Sequence, residues 1–333
     1  MNRRTRFWIS LAALAAMLLL SVGVGRYALN PAELLGILTG NPPSEIARDL
    51  FLQIRLPRVL AVALSGGLLA LSGLVFQTIF ANPLVSPDVL GATNGCAVGA
   101  VWAMLFLPAV PLLYQGCAFV CGVASAAAAL WLARRVGRNP MLGLILSGMV
   151  VGSLASALLM ILKYCADPTH QLPAIEYWLM GGFQNAMWPH VWSAALCGLP
   201  AAAALYLLRF RLKVLSLGDD RAAGLGLSPA AVRRWAVVLA TLPVAGVISI
   251  AGMVSWVALI VPHLVRVWGE RDVTRCMGTV FCCGSALLLA ADLLARTLTA
   301  AEIPVSIFTS LFGAAALAVL LLRGALDRGE AGL

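Results

Sequence analysis

The feature that most constrains this chain is its repetition of apolar runs long enough to cross a lipid bilayer. About ten stretches of some twenty residues each, almost free of charge, follow one another with only short polar links between them. A spanning helix needs ~20 predominantly apolar residues, and inside the hydrocarbon it satisfies its backbone polar groups within itself. The pattern therefore predicts an all-α, polytopic membrane bundle with spans near 7–24, 58–80, 91–107, 112–133, 141–162, 191–208, 235–252, 254–268, 277–295 and 305–322. Composition agrees: 61% of the residues are hydrophobic and 11% charged, against roughly 45–50% and about 25% in soluble domains. No segment is long and polar enough to make a soluble domain, so residues 1–333 read as a single transmembrane domain. The run 7–24 follows Arg3, Arg4 and Arg6 and has the look of a signal peptide. With so many spans behind it, the expectation is an uncleaved first span.

The net charge of +9 does not indicate a nucleic-acid partner, because the basic residues lie in the links rather than in one patch. Short basic links are what cytoplasmic loops carry. Ten spans with both termini inside leave only Arg26, Arg48, Arg55, Arg58, Lys163 and Arg296 on the outer side. Two outer segments are long: 26–57, which is polar with a partly helical pattern, and 163–190, which holds Tyr164, Tyr177, Trp178 and Trp188 and suits a membrane interface. The inner segment 209–234 reads as two short helices around Gly218 and Gly224. The eight cysteines form no C-x-x-C pair and read as small apolar packing residues.

Several chemistries are missing. A P-loop needs Gly-Lys followed by Ser or Thr, and both lysines, Lys163 and Lys213, follow Leu. There is no H-E-x-x-H and no G-x-S-x-G. His170, His190 and His263 are far apart, so neither a metal nor any other cofactor site is expected in this chain. The adjacent carboxylates Asp219 and Asp220 lack a second acidic cluster. Asp292, with Arg296 four residues on along the same helical face, is the main ionisable candidate at membrane depth, either as a structural pair or as a functional one. No chain of acidic or His residues crosses the midplane, which argues against a proton-coupled transporter and for energy supplied by another subunit. The fifth span is rich in small residues, Gly148, Gly152, Ser153 and Ser156, which fit either close helix packing or the lining of a passage.

A set of segments in fixed order resembles the FecCD family of ABC importer permeases, which includes vitamin B12 and ferric siderophore permeases. The set begins with Arg55-Leu-Pro-Arg58, Gly67, Gln77, Asn82-Pro-Leu84, Pro87 and Leu90-Gly91. It continues with Trp178-Leu-Met-Gly181, Leu215-Ser-Leu-Gly218 and Ala223-Gly-Leu-Gly-Leu227. It closes with Ser255-Trp-Val-Ala-Leu-Ile-Val-Pro-His-Leu264, Arg266, Asp292, Arg296 and Glu302-Ile-Pro-Val305. The match runs from about residue 53 to residue 323. Two departures stand out. The family commonly has Gly-Phe-Val-Gly-Leu where this chain has Ser255-Trp-Val-Ala-Leu, and Gly-x-Pro-Phe where it has Gly313-Ala-Ala-Ala.

The resemblance implies a type II importer permease of the bacterial inner membrane, not itself an enzyme. It would work as a homodimer with two cytoplasmic ATPase subunits that hold the ATP and magnesium. An extracytoplasmic binding protein would deliver the cargo, with a ferric siderophore expected first and haem, vitamin B12 or molybdate as alternatives. By the same resemblance Arg55, Arg58 and Arg296 dock carboxylates of the binding protein; these are positions on the side where basic residues are disfavoured. Leu217, Gly218, Ala223, Gly224 and Leu225 engage the ATPase. The gate lies around Asn139, Met141 and Leu142, and the passage runs along Gly148, Gly152, Ser153 and Ser156. His263 is expected to be structural, held by packing or a helix-end hydrogen bond.

Overall fold

The computed structural model describes residues 2–25, 33, 36, 37, 39, 44–136, 140–270 and 272–322. Among them the chain is helical throughout. Helix α1 (Arg3–Gly23) is followed by α2 (Glu45–Asp49), which Ser44 caps by accepting from the Ala47 amide at 3.1 Å. A π-helical turn, Leu50–Arg55, runs on into α3 (Leu56–Ile79). After a 3-10 turn at Pro87–Leu90 come α4 (Ala92–Phe106), α5 (Pro111–Ala133), α6 (Pro140–Cys165) and the short α7 (Gln171–Leu179). Next are α8 (Trp188–Leu215), α9 (Asp219–Gly224), α10 (Pro229–Ala251) and α11 (Val257–Val267). The series closes with α12 (Val273–Thr297) and α13 (Val305–Leu322). Each of the ten expected spans contains a helix, and among the described residues seven of these are long and apolar enough to cross a membrane.

The structure corrects two of those expectations. Helix α11 has 11 residues, which is ~16 Å of rise and about half a bilayer, so the eighth span is a half-helix. The link before it, Gly252–Trp256, is irregular backbone between two apolar helices. Such backbone is tolerated where protein rather than lipid surrounds it, and here protein atoms serve it. Gly182 N donates to Ala251 O at 2.7 Å, and Ser306 Oγ donates to Met253 O at 2.5 Å. Gly252 and Trp256 both take positive φ, 69° and 70°. The second correction concerns 209–234. There α8 continues to Leu215, because Leu212 and Leu215 are buried at 0% and 4% exposure, and a single short helix, α9, fills the turn before α10.

Helix α3 is the axis of the bundle. Helices α8, α10, α11 and α12 pack around it, and nearly every residue from Pro57 to Ile79 is buried. Lipid supplies no hydrophobic drive for helix association, so close backbone approach through small residues does the work. A Cβ on Gly66 would lie 2.4 Å from Gly284 O on α12, and one on Gly73 would lie 1.7 Å from Ala258 O on α11. Two hydrogen bonds fasten the same seams: Ser285 Oγ to Ala63 O at 2.7 Å and Gln77 Nε2 to Leu259 O at 2.9 Å.

Candidate functional site

At one end of the bundle five charged side chains from three parts of the chain converge. Arg58, in the first turn of α3, donates through Nε and Nη2 to Asp292 Oδ1 at 3.1 and 2.8 Å. It also donates through Nη1 to Glu302 Oε1 at 3.0 Å, and its Nη2 lies 3.0 Å from Glu302 Oε2. Arg296 approaches Asp292 Oδ2 at 3.4 Å and donates to Ser21 O at 2.5 Å. Arg55 donates to Val22 O and Gly23 O at 3.1 and 3.3 Å. Asp292 is fully buried, and Arg55, Arg58 and Arg296 are exposed by only 5%, 8% and 6%.

Two findings follow for the expected docking residues. The sequence pair Asp292–Arg296 exists, but the closer partner of Asp292 is Arg58, 234 positions away. The three arginines are also not open cations on a surface: each is committed to internal acceptors. A carboxylate from outside meets an Arg58 whose Nε and Nη2 already engage Asp292 and whose Nη1 and Nη2 already face Glu302. Glu302 was visible in the sequence only as part of Glu302-Ile-Pro-Val305, with no role attached. Its signal was an acidic residue in a link on the same side as the outer arginines.

At the opposite end α9 stands away from the bundle. Gly218 and Gly226 bracket it with φ of 102° and 80°, which glycine adopts at no steric cost. Ala222 is its buried foot, at 0% exposure, while Leu217 and Leu225 stand out at 50% and 65%. Ala223 and Gly224 are exposed, and a Cβ on Gly218 or Gly224 would meet open space. The five expected coupling residues thus share one projecting tip with the exposed charges Asp219, Asp220 and Arg221. Arg233 fixes its base, donating to Asp219 at 2.7 and 3.2 Å and to Ile79 O of α3 at 3.4 Å. Nearby, Lys213 Nζ bonds Asp272 at 2.7 Å. Partial burial alone would push the Asp272 carboxyl up; the bonds from Lys213 and Thr274 outweigh it and hold the group below its usual range.

The expected passage residues divide. Asn139 lies outside the described residues. Gly148 is buried, and its missing side chain admits Val89 O, which a Cβ would approach to 2.0 Å; its place is a packing contact with the turn before α4. Gly152 and Ser156 share that face, since Asn94 Nδ2 donates to Gly152 O at 3.3 Å and Ser156 Oγ at 2.9 Å. Leu142 and Ser153 lie on the open face of α6, and Met141 is half-buried. A second open face belongs to α13, where Met180, Ser306, Ile307, Ser310, Leu311 and Ala314 line a groove of about 500 Å³. His263 is buried with no hydrogen-bond partner on either ring nitrogen among the described residues, so packing alone holds it. No three His, Cys, Asp or Glu side chains are grouped to hold a metal among the described residues.

The first departure from the family pattern packs against the retained glycine of the second motif. Trp256 precedes α11, and its indole lies directly on Gly313 of α13: a Cβ at 313 would be 2.6 Å from the Cβ and ring carbons of Trp256.

Residues 13–323 match the FecCD transport family. The chain belongs to that family. The match starts within α1, forty residues before the earliest motif noted above. Among FecCD relatives, the molybdate import system permease protein MolB of Haemophilus influenzae is 35% identical over 93% of this chain and 92% of its own. An iron chelatin transport system permease protein of Helicobacter pylori is 34% identical over 82% of each. A solved structure described as an inward-facing conformation of a metal-chelate type ABC transporter superposes with a TM-score of 0.87 at 32% identity, covering 95% of this chain and 98% of that one. This FecCD chain is therefore a multi-pass permease of the kind found in bacterial ABC importers.

Proposed function

We propose that this permease imports a ferric siderophore across the bacterial inner membrane as one half of a homodimer. Two cytoplasmic ATPases drive it with ATP and magnesium bound to them, and an extracytoplasmic binding protein loads it. The observation that carries this reading is the polarity of the bundle. One end gathers the arginine–carboxylate cluster, and the other projects a tip with two exposed leucines that no described residue covers. A tip of exposed Leu217 and Leu225 flanking a short helix fits a cleft in a partner, and arginines suit the carboxylates of an incoming protein because such pairs are charge-assisted. Residues 1–333 act as one transmembrane domain with both termini on the cytoplasmic side, the side of α9. Cargo passes between the two copies, along the open faces of α6, with Leu142 and Ser153, and of α13.

The test is uptake into proteoliposomes. Labelled ferric siderophore should enter only when the permease is reconstituted with its ATPase, with binding protein outside and ATP inside. Uphill uptake by the permease alone would instead mark a stand-alone secondary transporter. A second cargo is favoured by a specific observation, the 35% identity to a molybdate permease. Labelled molybdate, haem and vitamin B12 belong in the same assay, and saturable, ATP-dependent uptake of one of them in place of the siderophore would reassign the cargo without changing the machine.

A further inference from the structure

Arg58 holds two carboxylates at once, and their surroundings differ. Asp292 is at 0% side-chain exposure, and Glu302 is at 22%. Removing one partner of a fully buried pair leaves an uncompensated charge and is strongly unfavourable. A partly exposed carboxylate is rehydrated when released, and exposed pairs contribute little. The inner carboxylate therefore fixes the guanidinium in place, while the outer one can be exchanged. Glu302 is also the member of the cluster that lies on a link rather than a helix. Its own carbonyl accepts from Tyr177 of α7 at 3.2 Å. The next residues bond across to other elements: Ile303 N to Ala295 O at 3.0 Å and Val305 N to Gly181 O at 3.0 Å. Val305 begins α13, whose open face lines the groove.

We propose that Glu302 is an internal stand-in for a partner's carboxylate: it closes the outer side of Arg58 in the resting permease, and an acidic side chain of a docking protein displaces it. The exchange keeps Arg58 paired throughout, so docking never exposes an unpaired buried cation. It also releases one tether of the link 298–304, which joins α12 to α13 beside α7, and so carries the docking event to the face of α13 that borders the passage. Glu302 acts here as a positioning residue, through Arg58 and through its own link. The proposal rests on the reading that Arg58 receives a binding protein.

The test uses the permease–ATPase complex in nanodiscs and its cognate binding protein. Glu302→Gln removes the competing charge, so affinity for the binding protein should rise about two- to fivefold, the range set by a partly exposed ion pair. Glu302→Asp, which keeps the charge on a shorter arm, should give a smaller gain and serves as the readout should the Gln variant not fold. Hydrogen–deuterium exchange at 298–304 should rise when the binding protein docks on the wild type, and should already be raised in undocked Glu302→Gln. A merely structural Glu302 predicts the opposite sign, weaker docking, and that result or an unchanged affinity overturns the proposal. Replacing Arg55, Arg58 and Arg296 together by Gln separates the two ideas. If docking survives this, the docking reading itself falls; if docking is lost but Glu302→Gln binds no tighter, only the exchange falls.

Discussion

Asp292 shows how much one side chain can hold together. It sits in the last turns of α12 with no exposure, where it accepts from Arg58 of α3 and lies 3.4 Å from Arg296 of its own helix. Its loss would leave two cations facing each other in a buried site. Asp292→Ala should therefore lower stability by ~3–5 kcal/mol, the cost of breaking a buried pair by removing one partner. Glu302→Gln, at the rim of the same cluster, should cost under ~1 kcal/mol. Thermal unfolding of both variants in one detergent checks the ratio, and equal losses would contradict the inner and outer assignment. The sequence exposed half of this arrangement. Asp292 and Arg296 were legible because helical spacing puts i and i+4 side by side. The pairing of Arg58 with Asp292 was not, because it depends on α3 and α12 crossing at a particular register, which local spacing does not encode.

Among the elements, the long helices were the easiest to read, since a run of apolar residues with no charge has few alternatives in a bilayer. The exceptions have physical causes. Helix α11 read as a span because Val254 and its neighbours are apolar, yet Gly252 and Trp256 at positive φ stop the helix short. Apolar character reports the surroundings of a residue, and here those surroundings are protein rather than lipid. The turn around α9 was legible from its glycines, whereas the extension of α8 to Leu215 was masked by Arg209, Arg211 and Lys213, charges that mark where a helix leaves the membrane rather than where it ends. Gly313 is an element-scale feature of the same kind, since it lets α13 rest on the indole of Trp256. Gly313→Ala should destabilise the bundle by ~1–3 kcal/mol through overpacking, and Trp256→Gly in the same chain should restore most of the loss, removing the clash and the strained φ together. An additive pair of losses in unfolding experiments would show that the two positions are not coupled.

Across the whole molecule, the arginine cluster and the α9 tip lie at opposite ends and are joined through α3, which begins at the first and whose last turn accepts from Arg233 at the second. A change confined to the tip should therefore separate energy supply from loading. Gly224→Pro removes an amide and its ring opposes the helical turn of α9. In the reconstituted complex it should abolish ATP-driven uptake while leaving binding-protein affinity within about twofold of the wild type, a difference close to the reach of a single weak contact. Loss of both activities would mean that the two ends are not separable in this way. The glycine seams of α3 carry a further consequence. With Gly66 against the backbone of Gly284 and Gly73 against that of Ala258, α3 meets α12 and α11 backbone to backbone at those two points, which pins the three helices together as a keel. Any stroke this permease makes must come from the outlying helices swinging about that keel, and even a single methyl group added along it would spring the hull.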